Sequence, residues 1–155
     1  MTLREIRYQG AVVDGSRLLL LYCIPRDHDG FWVLPGGGRE PGESEVACVA
    51  RELYEEAGII VVVGPLLYDI PAEPPEGTYA RWRTYRCAIT TGAPAPGGGE
   101  GWADLTAVQW LPLDQPDEWA KALHDDPFLH PQLRRIAAAV AAGSLRSASD
   151  AVSRE

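Results

Sequence analysis

Hydrophobic residues form short runs separated by polar turns, a pattern typical of a domain that mixes strands and helices. Two apolar runs flank the turn signal Asp14-Gly15 and predict a β-hairpin with strands near residues 8–13 and 17–24. Further strands are predicted at residues 31–34, 59–63, 66–70, 79–90 and 107–111. Loops are predicted at the proline-rich residues 71–77 and the glycine-rich residues 91–101.

Helical periodicity is clearest from residue 44 to residue 57. Its apolar residues recur at helical spacing, with Ser44 as the expected N-cap and Gly58 as the residue that ends the helix. Helices are also predicted at residues 117–123 and 129–142. Residues 1–143 are therefore expected to form a single domain, and residues 144–155 a loosely held tail.

The charge and the cysteine content of the chain disfavour several classes of function. The chain has 155 residues and a formal net charge of −8, which disfavours binding to bare nucleic acid or anionic membranes. The three cysteines lie far apart in the sequence and predict neither a disulfide framework nor a zinc site. We expect a cytoplasmic protein without an export signal or membrane segment.

The predicted central helix carries four acids on one side. Glu45, Glu52, Glu55 and Glu56 fall within a stripe of about 100°, away from the apolar face. Each pair of like charges at these spacings destabilises an isolated helix by about 0.2–0.5 kcal/mol, a cost that a cation would relieve. Their oxygen atoms suit Mg²⁺ or Mn²⁺, although a solvated acidic face is the simpler interpretation for an arbitrary helix.

The residues around this helix decide between these two interpretations. From Gly37, five residues lead to Glu43, and seven more lead to the run Arg51-Glu52-Leu53-Tyr54-Glu55-Glu56-Ala57-Gly58-Ile59. Every specified position of the Nudix box is filled, so the sequence resembles a Nudix hydrolase. That resemblance implies an α/β fold, an α/β/α sandwich with a mixed sheet and the Nudix loop-helix. It also implies hydrolysis of a nucleoside diphosphate linked to another group, by water attack on phosphorus.

The resemblance assigns expected roles to the box residues. Glu52, Glu55 and Glu56, with the carbonyl of Gly36, would hold Mg²⁺ or Mn²⁺, with Glu52 and Glu55 among the catalytic residues. Arg51 would orient the glutamates, and Glu43 would hydrogen-bond into the loop or assist a metal. The glycines at 36–38 should allow positive φ values and close approach to a ligand, and Gly58 belongs to the structural part of the box. A small anionic nucleotide would be the partner.

Residues outside the box are harder to assign. The family often adds a carboxylate from a distant loop, for which Asp104 is favoured over Glu100. Arg81 and Arg83 are candidates for phosphate contacts, on the strand face opposite Arg86. Tyr85 could stack on a base, and Arg26, close to His28, could also reach the substrate. For the arginines, Tyr85 and His28 the more common interpretation is an ordinary solvated, core or loop residue, and Asp104 could equally be a turn-capping acid before a strand.

The substrate remains open at this point. Pro75 lies sixteen residues beyond Ile59, a spacing similar to that of ADP-ribose hydrolases of the family, which slightly favours ADP-ribose or a nucleotide sugar over a nucleoside triphosphate. The alternatives are a Nudix-fold module that binds or regulates without catalysis, and an RNA-end hydrolase. The first is disfavoured by the complete box and the second by the acidic balance. The sequence leaves a homodimer open.

Overall fold

The computed structural model describes residues 5–76, 79–97, 103–123 and 129–153, with only the backbone described at 73–76 and 144–153. Seven strands and three helices follow in the order β1 Ile6–Asp14, β2 Arg17–Pro25, β3 Phe31–Val33, β4 Gly36–Gly37, α1 Glu45–Ala57, β5 Ile60–Glu76, β6 Tyr79–Thr91, β7 Ala103–Pro112, α2 Pro116–Leu123 and α3 Leu129–Ser153. The predicted hairpin and all three predicted helices are present.

The sheet is mixed, as the family resemblance implies. Its strands follow the order β3-β2-β1-β6-β5, with β4 paired to β1 and β7 paired to β2. The β1 and β6 strands run parallel, and the other pairs are antiparallel. A parallel pair needs a long crossover connection, and the segment from β2 to β5, which contains α1, supplies it.

Two cores lie on opposite faces of the sheet. One contains the apolar residues of α1 together with Val12, Leu21 and Cys87 from the strands. The other contains apolar residues of α2 and α3 packed against Trp82 and Leu111. These layers confirm the α/β/α sandwich.

Two strand predictions are wrong in their boundaries. A single strand, β5, replaces the two strands expected at 59–63 and 66–70, and it continues to Glu76 through most of the loop expected at 71–77. Its pairing with β6 shifts register at four places, which accommodates Gly64, Pro65 and the later prolines. Because β5 ends the sheet order, a missing proline N–H costs less there than in a central strand. Residues 77 and 78 lie outside the described part.

The C-terminal boundaries also differ from the expected ones. The β7 strand begins at Ala103, four residues before the predicted start. Helix α3 runs to Ser153, beyond the end predicted at residue 142. In the part of the chain that the structure describes, no helix is long and apolar enough to cross a membrane.

Candidate active site

Helix α1 is capped at both ends as its sequence predicts. The Ser44 hydroxyl accepts a hydrogen bond from the Ala47 N–H at 3.1 Å. Gly58 has φ +68°, a conformation that favours glycine, and its N–H donates to the Tyr54 carbonyl. The apolar face of the helix, with Val49 and Leu53, is fully buried, which fixes the direction of the acidic side chains.

The glycine segment lies directly against two of these acids. A Cβ at Gly37 would overlap Oε1 of Glu52, and a Cβ at Gly36 would overlap the Tyr8 carbonyl. The N–H of Gly36 donates to Oε2 of Glu56 at 3.0 Å. Close approach to the backbone therefore requires glycine at position 36, and at position 37 it allows Glu52 its present place. The positive φ values expected at 36–38 are absent, and Gly36 and Gly37 pair with β1 as a short strand.

Arg51 is the cation at the centre of the acidic residues. Its guanidinium donates to both carboxylate oxygens of Glu43, at 2.7 and 3.0 Å, and to the Gly38 carbonyl at 3.2 Å. The same group reaches Glu52 at 3.0 Å and Glu55 at 3.1 Å, and lies 3.8 Å from Glu40. The hydrogen bond from Arg51 lowers the pKa of Glu43 to about 2 and raises the pKa of Arg51. Glu43 also accepts from the Glu40 N–H, inside the loop.

The carboxylate oxygen atoms of this region are of the kind that a hard divalent cation binds. Glu52 is a carboxylate with only 3% exposure, and a Cβ at position 37 would displace it from its present place. Glu56 lies one helical turn away and bonds to the same glycine segment. Within the described ranges, however, no three acidic, histidine or cysteine side chains converge as a complete ligand set. Glu55, 48% exposed, is directed to Arg51.

A second ionic cluster lies on the same side of the sheet, at the start of α1. Asp69 bridges the guanidiniums of Arg81 and Arg83, at 2.9 Å from each. Arg83 also forms an ion pair with Glu45, whose other oxygen accepts from the Tyr85 hydroxyl at 2.7 Å. Burial raises the pKa of Glu45, but the bonds from Tyr85 and Arg83 outweigh it and the net pKa is lowered.

The structure therefore directs Glu45 away from the other acids of its stripe, toward β6. Arg81, Arg83 and Tyr85 share one face, as predicted. Arg86 lies on the other, where its guanidinium is near Gly143 of α3. Arg39, in the loop before α1, lies over the ring of Tyr8, as does Arg83.

A separate open pocket of about 590 Å³ brings together three other predicted residues. Arg26, His28 and Asp104 line it, with Asp27 at the unusual φ of +63°. Asp104 lies within β7, paired with Ile24, and not in a turn before a strand. None of the box glutamates is among the residues that line this pocket. The alternative carboxylate, Glu100, lies outside the described residues.

Two features of the site were missed by the sequence reasoning. The first is a buried polar network that begins at Arg7 and Gln9. Its sequence signal is that these two polar residues lie on the same face of β1 as the apolar Ala11 and Val13. The second is the contact of residues 92–97 with the end of α1, where Ala95 and Gly97 donate to the last helical carbonyls. No sequence signal marks that contact.

Comparison with known proteins identifies the family. The family model of the NUDIX domain matches residues 7–131. The chain belongs to the Nudix family. It is thus a Nudix hydrolase, an enzyme of phosphoric anhydride bonds, and enzymes of this family generally use divalent metal ions.

Three similar proteins place this Nudix domain among its relatives. The "Putative 8-oxo-dGTP diphosphatase 2" of Mycobacterium tuberculosis is 36% identical over 122 residues, covering 73% of this chain and 84% of that protein. An RNA pyrophosphohydrolase of Rhodopseudomonas palustris is 32% identical over 148 residues, covering 84% and 83%. A solved MutT NUDIX hydrolase of Burkholderia pseudomallei is 27% identical with a TM-score of 0.58, covering 86% and 94%.

Proposed function

We propose that this protein hydrolyses the pyrophosphate linkage of a small nucleotide with Mg²⁺ or Mn²⁺ held by Glu52, Glu56 and the carbonyl of Gly36, and with Glu55 beside them. The observation that carries the proposal is the buried Glu52 carboxylate against Gly37, with Glu56 bonded one turn away to Gly36. The metal, when bound, would neutralise the pyrophosphate and favour attack by water. The chain's own contribution is to hold these oxygen atoms in fixed positions.

Arg51 acts in this proposal as the residue that orients the acids. Its bidentate bond to Glu43 fixes the guanidinium, which can then hold Glu52 and Glu55 at distances near 3 Å. Glu43 acts through Arg51 and through its bond to the Glu40 N–H. Neither residue needs to touch the substrate for this role.

A further carboxylate is assigned to the start of β7. Asp104 is proposed as the additional acid, because it shares a pocket with Arg26 and His28 at the end of β2. Its role would be that of an additional metal ligand or of the general base. Glu100 is the alternative, and the Asp104→Asn and Glu100→Gln variants, compared in parallel for kcat, distinguish the two residues.

The substrate's anionic groups are assigned to Arg81 and Arg83, with Arg26 at the separate pocket. The guanidiniums of Arg81 and Arg83 already bind carboxylate oxygen atoms of Asp69 and Glu45, and phosphate oxygen atoms present the same forked geometry. Tyr85, on the same face, would contact the base. Substrate phosphate would then compete with Asp69 and Glu45 for the two arginines.

The preferred substrate class is a nucleoside 5′-triphosphate. The name of the Mycobacterium tuberculosis relative supports it, since that protein is 36% identical over most of its length. ADP-ribose or a nucleotide sugar follows, supported by the Pro75 spacing alone. A triphosphorylated RNA end is third, supported by the name of the Rhodopseudomonas palustris relative. The burial of the cysteines Cys23, Cys48 and Cys87 as reduced thiols supports a cytoplasmic location.

Product analysis tests the proposal directly. The wild-type protein is incubated with nucleoside triphosphates including 8-oxo-dGTP, ADP-ribose, nucleotide sugars and a triphosphorylated RNA, each with Mg²⁺ or Mn²⁺, and the products are separated by chromatography. We expect pyrophosphate and a nucleoside monophosphate from a triphosphate. The matched control is Glu56→Gln under the same conditions. Metal-independent turnover, or equal turnover by the variant, contradicts the proposed site.

A further inference from the structure

A network of buried polar side chains lies on the side of the sheet opposite α1. Arg7 is only 5% exposed, and Gln9, Thr84 and Gln132 are at least as buried. Nε of Arg7 donates to Oε1 of Gln9 at 3.2 Å. The Gln9 amide donates in turn to Thr84 at 2.9 Å and to Gln132 of α3 at 2.7 Å. Such a network is costly to bury unless its members are well satisfied, so its location needs a reason.

One end of this network contacts the segment that leads into the glycine loop. Nη2 of Arg7 donates to the Leu34 carbonyl at 2.9 Å. The next carbonyl, that of Pro35, accepts from the Gly10 N–H at 3.0 Å. The adjoining residue, Gly36, pairs with Gln9 and donates to Glu56. Three consecutive residues are thus fixed to β1 immediately before the backbone reaches the acids of α1.

The other end of the network is fixed to α3 and β5. Gln132 accepts a hydrogen bond from the Tyr68 hydroxyl at 2.8 Å, and burial raises the pKa of Tyr68, so this hydroxyl keeps its proton. A guanidinium is planar and presents several donors in fixed directions, so Arg7 can hold Gln9 and Leu34 simultaneously. The network therefore joins the α3 side of the sheet to the loop on its other side.

We propose that Arg7 is a positioning residue that fixes the Gly36 N–H against Glu56. It does this by holding the Leu34 carbonyl, while Gln9 and Gln132 hold Arg7. The inference rests on the proposed function only in assigning Glu56 to the metal. Its structural content, that Arg7 sets the mobility of the 34–37 backbone, is independent of any substrate.

Hydrogen exchange measured by NMR without metal or substrate tests this content. In Arg7→Met, we expect the Gly36 and Gly10 amides to exchange about tenfold faster, while the Cys48 and Gly58 amides of α1 keep their rates. Arg7→Lys retains a cation with one point of contact and should give an intermediate rate. The matched control is Arg86→Met, an arginine on the neighbouring strand that lies near Gly143 and has no place in the proposed site.

Three outcomes of the exchange experiment would overturn the proposal. One is an unchanged Gly36 rate in both Arg7 variants, and another is an equal acceleration of the α1 amides, which would show only a global loss of stability. The third is the same Gly36 acceleration in Arg86→Met. Where Arg7→Met does not fold, the Arg7→Lys rates alone decide.

Steady-state kinetics separate positioning from substrate contact. With the best substrate of the panel, Arg7→Met should lower kcat about tenfold and change KM by less than about twofold. A rise in KM at constant kcat would assign Arg7 to the substrate and overturn the proposal. If the wild-type protein hydrolyses nothing in the panel, the proposed function fails, but the exchange measurement still decides the role of Arg7.

Discussion

Two arginine-centred clusters lie along α1, and their charge balance differs. Near the glycine loop, the single guanidinium of Arg51 lies within 4 Å of the four carboxylates of Glu40, Glu43, Glu52 and Glu55. At the start of the helix, Arg81 and Arg83 form their described ion pairs with Asp69 and Glu45. The first cluster carries an excess of negative charge, while the second is neutral.

This difference in charge balance supports the proposed assignment of a different kind of ligand to each cluster. An excess of carboxylates in a partly buried place is unfavourable alone and becomes favourable with a cation. A balanced set of arginines and acids needs no further ion, but its arginines can exchange one anion for another. We therefore associate the Arg51 cluster with metal and the Arg83 cluster with phosphate.

The largest expected effect comes from removing a proposed metal ligand in the acidic cluster. Glu56→Gln should keep the fold but lower kcat at least about a hundredfold, since it removes charge from a site that stabilises the transition state. Glu52→Gln should be at least as severe. Glu45→Gln, the same change in the neutral cluster, should lower kcat less than about tenfold. Near-normal turnover by folded Glu56→Gln would mean that the two clusters do not differ in this way.

The next effect concerns the arginines of the neutral cluster. Arg81→Ala and Arg83→Ala should each raise KM about tenfold, consistent with the ~1.5–3 kcal/mol of a hydrogen bond to a charged group. Arg86→Ala, on the opposite face, should leave KM nearly unchanged. Michaelis kinetics on the three variants check this. An effect at Arg86 alone would move the phosphate site to the α3 face of β6.

Thermal unfolding with and without divalent metal tests which of the two clusters binds the metal. Mg²⁺ or Mn²⁺ should raise the wild-type Tm by about 2 °C or more, because a cation relieves the repulsion among the acids only in the folded state. The rise should shrink in the Glu52→Gln/Glu56→Gln double variant. The control, Glu45→Gln/Asp69→Asn, removes equal charge from the neutral cluster. It should retain the metal-induced rise in Tm. A retained rise in the first variant would place the metal elsewhere.

The smallest effect is a pH dependence of stability that originates at Glu43. Arg51 lowers the pKa of Glu43 from 4.5 to about 2 in the folded protein. A lowered folded pKa gives stability that is complete above the unfolded value and is lost as the pH falls from about 4.5 to about 2. Glu43→Gln should therefore show a flatter Tm profile in this window, measured by calorimetry. Identical slopes in both proteins would remove Glu43 from the Arg51 network.

The local parts of the fold could be predicted from the sequence because the signals were local. Ser44 and Gly58 mark the ends of α1 by their own hydrogen-bonding and backbone preferences, and both caps are present. The β5 strand was mispredicted because its prolines resemble a loop signal. Their tolerance there depends on the place of β5 at the end of the sheet order, which is a property of the whole topology.

In the candidate site, too, the local spacing of residues could be predicted from the sequence, whereas contacts between distant elements could not. The spacing of the box determines which acids share a helix, so Glu52, Glu55 and Glu56 could be selected from sequence. That Glu45 is directed instead to Arg83 and Tyr85 depends on β6, which packs beside the helix only in the fold. The contacts of Arg7 with Leu34 and of Gln9 with Gln132 join residues 27 and 123 positions apart, beyond any local pattern.

The attachment of residues 92–97 to the end of α1 defines a junction for exchanging loops between related enzymes. Gly97 donates to the Glu56 carbonyl at 2.7 Å, and a Cβ at this position would overlap the Glu55 carbonyl. A grafted loop that retains the native chain through Gly97 keeps this anchor, whereas one that replaces Gly97 pushes against the backbone of two box glutamates. Gly97 is therefore the residue after which a grafted loop should begin if the end of α1 is to keep both hydrogen bonds from this segment.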